Sequence, residues 1–254
     1  MLVISFGIPK SGSTLAFELA KAALTFAGYP QHRLPDDLVL PESSVNFMNK
    51  PDIEHVEAVL RFMTPDRRLI VKTHNRPPPR ELPHFEALVR AGRIKIQLPV
   101  RDPRDTCLSL VDAGDKARAT GQAGFAHIHT LEDARAVVGR HIRKFQIWAA
   151  LSDALLLPYD QCAFDTETAI RRICAHLGID APVPEVRDHV MNHAFTQFNK
   201  GVADRHVTEM QPVDSESIRA EFAPFFRDFI EADGSDSVWV RQFRKRHIPE
   251  PDAA

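Results

Sequence analysis

The chain has 254 residues, of which 44% are hydrophobic, with 32 Lys and Arg against 34 Asp and Glu. A net charge of -2 argues against a whole-molecule basic field for nucleic acid, while leaving room for a local basic pocket. Three cysteines (Cys107, Cys162, Cys174) without a CxxC pair argue against a disulfide framework and a zinc site.

No segment approaches the ~20 apolar residues that span a bilayer. The start lacks the basic region of a secretory signal, so reduced thiols and a cytoplasmic location are expected. In chain order, Leu2–Phe6 is a continuous apolar run, as a buried parallel strand requires. A loop follows, then residues 12–27 place Leu15, Leu19, Ala22 and Phe26 on one helical face, with Gly28 as a stop. Residues 29–51 are rich in Pro and polar groups. Helical spacing resumes over 53–63, a strand is expected at 69–71, and a Pro-rich break covers 75–83. A helix over 80–91 leads to a strand at Ile94–Val100 and a helix over 103–113. Residues 112–130, with three glycines, read as irregular. A helix over 131–151 then precedes a strand at 154–157, and further helices are expected at Thr166–Leu177, 184–193, 215–230 and 237–247. Strands alternating with helices predict one α/β domain over residues 1–254, with a mainly parallel sheet flanked by helices on both faces.

Ligands of open α/β sheets bind outside the carboxyl ends of the strands, so the residues that follow each strand carry the chemistry. After the first come Gly7-Ile8-Pro9-Lys10-Ser11-Gly12-Ser13-Thr14. The glycine spacing is that of G-x-x-x-x-G-K-[ST], and backbone N–H groups at the start of the next helix can cradle an anion. Position 13 is Ser where a nucleotide triphosphatase has Lys, and the cation stands at Lys10 instead. After the second strand come Lys72-Thr73-His74, a lysine that needs a partner if buried and a histidine suited to general-base work. After the third, Asp102 can cap a helix that has Pro103 at its first position and Asp105 three residues after the cap. Arg101 stands just before this helix and Ser109 two turns into it, an arrangement that can hold a second phosphate. After the fourth come Tyr159 and Asp160.

These segments resemble a known family, the sulfotransferases that use 3′-phosphoadenosine 5′-phosphosulfate (PAPS). Residues 9–15 resemble its 5′-phosphosulfate loop, Lys72-Thr73-His74 its catalytic-histidine segment, and residues 101–109 its 3′-phosphate motif. The resemblance implies a P-loop nucleotide-hydrolase-like fold and transfer of sulfonate from PAPS to an acceptor hydroxyl, leaving adenosine 3′,5′-bisphosphate (PAP), with no metal expected. It implies that Lys10 meets the oxygen bridging sulfonate and 5′-phosphate, and that Ser11, Gly12, Ser13 and Thr14 bind the 5′-phosphate. Arg101 and Ser109 would hold the 3′-phosphate, His74 would take the acceptor proton, and Lys72 would sit near the sulfonate. Tyr159 would border the adenosine site, and Lys200-Gly201 would close over the 3′-phosphate, with Asn199 where the family has Arg. Leu15 stands where small-molecule members have an adenine-stacking Trp. A P-loop kinase with an atypical loop is the alternative, and the Ser at position 13 counts against it. The acceptor and the oligomeric state are not legible from the chain.

Overall fold

In the computed structural model, which describes residues 1–64, 66–194, 201–234 and 237–248, the strands are β1 (Leu2–Phe6), β2 (Leu69–Thr73), β3 (Ile94–Val100) and β4 (Ala154–Pro158). They hydrogen-bond in the order β2-β1-β3-β4, and every pairing is parallel. The expected mainly parallel sheet is thus wholly parallel among the described residues. The chain leaves β1 for the β2 edge, returns past it to β3, and so opens a crevice at the carboxyl ends of β1 and β3.

The helices are α1 (Ser13–Phe26), α2 (Ile53–Phe62), α3 (Leu82–Arg90), α4 (Pro103–Ala119), α5 (Leu131–Ala149), α6 (Tyr159–Phe164), α7 (Thr166–Leu177), α8 (Val183–Asn192), α9 (Arg205–Glu209), α10 (Pro212–Glu221) and α11 (Val238–His247). Side chains alternate across each strand. Leu2, Ile4 and Phe6 therefore enter one core with α2, α3, α5 and the C-terminal segments. Val3 and Ile70 enter a second core on the opposite face, with α1, α6, α7 and α8. The same period sends Lys72, two residues beyond Ile70, towards α1. Both faces being covered is why these strands read as continuous apolar runs rather than alternating ones.

Two expectations are corrected. Helix α4 runs to Ala119, not 113, so the first part of the stretch read as irregular is helical. Gly114 marks a close approach there rather than a break, because a Cβ on it would lie 2.1 Å from the Ile128 carbonyl oxygen. The single helix expected over 215–230 is broken at Phe222, and a π turn over Phe226–Ile230 lets Phe225 and Phe229 reach Phe145, with ring centroids 5.3 and 5.1 Å away. Helices α6 and α9 are too short to show a period in sequence. The Pro-rich stretch 29–51 also does more than connect. Met48 donates to the Lys72 carbonyl and Lys72 to the Asn46 carbonyl, each at 2.8 Å, so this segment covers the β2 edge and brings Phe47 beside it.

Candidate active site

The loop from β1 to α1 leads straight into the first turn of the helix. Gly12 precedes the helix in the left-handed region at φ 83° and has no side chain to cap it. The first helical bond runs from Ala16 N–H to the Gly12 carbonyl, so the N–H groups of Ser13, Thr14 and Leu15 precede it and face the dipole's positive end outward. Lys10 also sits at positive φ, 67°, a strained state for a residue with a Cβ that costs about 1–3 kcal/mol. Burial pushes the Lys10 ammonium below its ordinary pKa, and the positive charges of Lys116 and Arg101 push the same way while Asp112 opposes them. A bound anion would relieve this crowding. Ser11 lies inside this loop. Its hydroxyl and its N–H both donate to the Ile8 carbonyl, at 2.8 and 3.2 Å, so its donors turn inward to hold the loop.

Lys72 is 8% exposed and donates to Thr14 Oγ1 at 2.7 Å, which ties the end of β2 to the first turn of α1. Burial lowers its pKa to about 8; the Glu18 carboxylate pulls it up and Lys10 pushes it down. His74 Nδ1 lies 2.6 Å from the Gly7 carbonyl. A carbonyl only accepts, so Nδ1 carries the hydrogen and Nε2 keeps its lone pair. Burial pushes this imidazole down to about 3, and the Lys72 charge adds to the effect. His74 is therefore neutral through the physiological range, with the Nε2 lone pair unprotonated. Thr14, Lys72, His74 and Phe47 share a cleft of about 470 Å³.

Arg101, at the end of β3, is 9% exposed. Its Nη2 donates to Asp105 Oδ2 at 3.2 Å and to the Val202 carbonyl at 3.1 Å, and its guanidinium carbon lies 4.1 Å from the centroid of the Tyr159 ring. Its Nε is buried without a partner among the described residues. A buried guanidinium N–H left unpaired is costly, and an acceptor brought within reach would satisfy it. The same Tyr159 ring abuts Gly12, where a Cβ would lie 2.5 Å from Cδ2. The phosphate loop and the Arg101 pocket are thus two halves of one crevice with Tyr159 between them. Replacing Gly12 with Ala is expected to cost at least 1–3 kcal/mol, from the positive φ and the collision with Tyr159 together. Chemical denaturation of the variant measures it.

A family model of the sulfotransferase domain matches residues 2–241. The chain belongs to the sulfotransferase family. Solved structures of sulfotransferases share its fold. Mouse sulfotransferase SULT7A1 complexed with PAP aligns at TM-score 0.56 and 16% identity, covering 96% of this chain and 87% of that one. The sulfotransferase domain from the curacin biosynthetic pathway aligns at TM-score 0.50 and 13% identity, covering 88% and 97%. No curated protein matches the sequence. No helix among the described residues is long and apolar enough to cross a membrane.

Within this sulfotransferase, Ser109 is buried on α4, and Gly201, the first residue of the described segment 201–234, sits at φ 63°. Lys200 and Asn199 lie outside the described residues. Leu15 is 1% exposed and packs in the core with Tyr159, so it presents no face to the crevice. The expected pairing of Asp102 with Asp105 as a capping box is corrected. Asp102 does cap α4 through the Arg104 N–H, at 2.8 Å, but Asp105 turns away. It accepts instead from the Arg205 N–H, the His206 N–H and His206 Nδ1, at 3.3, 3.0 and 2.8 Å. Burial raises the Asp105 pKa, but the bonds from His206 and the Arg101 charge outweigh it and hold the carboxyl below its usual range.

Sequence reasoning missed this clasp, which folds the stretch after Gly201 over Arg101. It also missed Lys144 and Trp148 on α5. Lys144 Nζ donates to the His74 carbonyl at 3.2 Å and to Asn75 Oδ1 at 2.8 Å, and Trp148 Nε1 donates to the Asn75 carbonyl at 2.9 Å. The main chain of His74 is thereby held from α5 while its ring is held from the β1 loop. Their spacing of four, one face of a helix, was the available signal.

Proposed function

We propose that the chain transfers a sulfonate group from PAPS to an acceptor hydroxyl, with PAP as the other product. The observation that carries this reading is the convergence at one crevice of three things: free N–H groups at the start of α1, the unpaired Nε of Arg101, and a neutral His74 whose Nε2 is open. The PAP bound to the mouse structural neighbour supports the choice of donor.

Bound PAPS supplies an activated sulfonate whose leaving atom is a 5′-phosphate oxygen. The N–H groups of Ser13 and Thr14, with Gly12 letting the backbone approach closely, hold the 5′-phosphate. Ser11 shapes that loop. Lys10 lies on the leaving oxygen and stabilises the charge that grows there. Lys72, fixed by Thr14, neutralises the sulfonate from the β2 side. Arg101 turns Nε to the 3′-phosphate, with Ser109 and the Lys200-Gly201 loop as further partners, and Tyr159 borders the adenosine. The acceptor oxygen forms the new bond to sulfur as the bond from sulfur to the phosphate oxygen breaks. That oxygen keeps the electron pair, and the acceptor proton passes to His74 Nε2.

Thermal denaturation with PAP and with Mg·ATP tests this reading. PAP at a hundred times its dissociation constant is expected to stabilise by about 2.7 kcal/mol, a shift of several degrees. Stabilisation by Mg·ATP alone would overturn the reading in favour of a kinase.

The lowered Lys72 pKa sets a pH dependence. Lys72 is a cation below about pH 8 and loses its charge above it. Affinity for PAPS is therefore expected to be level from pH 7 to 8 and to weaken by up to about tenfold per unit above 8, as one proton is linked to binding. Titrations of PAPS binding across this range check it, and Lys72→Met should be weaker at pH 7 and flatter above pH 8.

A further inference from the structure

The cleft beside His74 is lined by charged and polar side chains as well as by aromatic ones. Along α1, Thr14, Glu18 and Lys21 follow one another on the face that lines the cleft beside His74. Glu18 is 7% exposed, and its carboxylate pairs with Lys21 Nζ at 3.1 Å. An ion pair drawn into a cleft wall is weak evidence of stability, because desolvation offsets the attraction. Such a pair still offers directional acceptors and donors. Across from it, Phe47 presents a ring whose centroid lies 5.4 Å from that of His74. Ser43 supplies a hydroxyl from the same edge segment. The cleft therefore joins aromatic and aliphatic surface from Phe47, Phe125 and Val45 to the hydrogen-bond acceptors and donors of Glu18, Lys21 and Ser43. Its volume of about 470 Å³ admits more than one small ring.

The charges choose among polar acceptors. In the reading above Lys72 serves the donor's sulfonate, and Glu18 and Lys21 offset one another, which leaves His189 and His193, besides His74, as the other titratable groups of the lining and no fixed net charge to select an anion or a cation. We propose that the acceptor is a neutral polyhydroxylated molecule of the sugar or polyol type. One hydroxyl lies at His74 Nε2 and the carbon skeleton rests on Phe47. The neighbouring hydroxyls donate to Glu18 and accept from Lys21. This rests on the sulfonate-transfer reading above and names its substrate class. A site that hydrogen-bonds substrate hydroxyls discriminates strongly against analogues lacking them, because its own polar groups are left unpaired. A phenol gives Glu18 nothing to accept.

The test uses radiolabelled PAPS with two acceptor sets: methyl glycosides of the common hexoses with myo-inositol, and 2-naphthol with simple alkanols. At least one polyhydroxylated acceptor is expected to exceed 2-naphthol in kcat/KM by tenfold or more. Glu18→Gln is expected to shrink that preference at least tenfold, mainly through the KM of the polyol, and Lys21→Met, at a more exposed position, should shrink it as well. A preference for 2-naphthol, or a preference unmoved by both variants, overturns the proposal. If nothing is turned over, saturation-transfer NMR on the complex with PAP decides, and failure of every polyol to bind also overturns it. Failure of the parent reading looks different: the protein then binds no PAP and transfers sulfonate to neither set.

Discussion

Replacing His74 with alanine is expected to lower turnover by 10²–10⁴-fold, the range that a positioned general base supplies, while PAP binding changes little. The Gly7 carbonyl takes the Nδ1 hydrogen and so fixes the tautomer. Burial keeps the ring from being protonated until about pH 3, so its Nε2 is a free base throughout the working range. In the free enzyme, the nitrogen NMR signals of His74 should remain those of the neutral Nδ1–H form at pH 5, where an ordinary histidine is protonated. Single-turnover assays and PAP titrations separate chemistry from binding. Retained turnover in His74→Ala would remove this residue as the base.

Arg101→Ala is expected to weaken PAP binding by about 2–5 kcal/mol, the cost of breaking a buried, hydrogen-bonded charge pair, which corresponds to roughly thirtyfold or more in the dissociation constant. The unpaired Nε is the reason for placing the 3′-phosphate here. The fold should survive, because Asp105 keeps its bonds from His206 and the Arg205 N–H when the guanidinium is gone. Arg101→Lys keeps the charge but loses the fork, and an intermediate affinity is expected. Calorimetric titration of each variant gives the values, and an unchanged dissociation constant for Arg101→Ala would show that the 3′-phosphate lies elsewhere.

The strands and the first helix were legible because their signals are local. An apolar run such as Leu2–Phe6 states its own burial, and a helical face such as Leu15, Leu19 and Ala22 states its own period. The loop between them was legible too, since its glycines stand where the backbone must turn and start a helix. Lys10, Lys72, His74 and Arg101 were legible because each lies at or just beyond the carboxyl end of a strand, and a parallel sheet puts all those ends on one edge.

What the sequence by itself determined is therefore the α/β order, the phosphate-type loop and the set of strand-end side chains with the family they resemble. Only the tertiary structure decided which atoms those side chains have left to offer. Ser11 spends its donors on Ile8, Asp105 leaves its helix cap for His206 about a hundred residues on, and α5 reaches His74 through Lys144. The wall of Glu18, Lys21 and Phe47 is assembled from a helix and an edge segment of unrelated pattern. Such pairings leave no local period, because hydrogen bonds and burial depend on separation in space, and chain distance carries no trace of it.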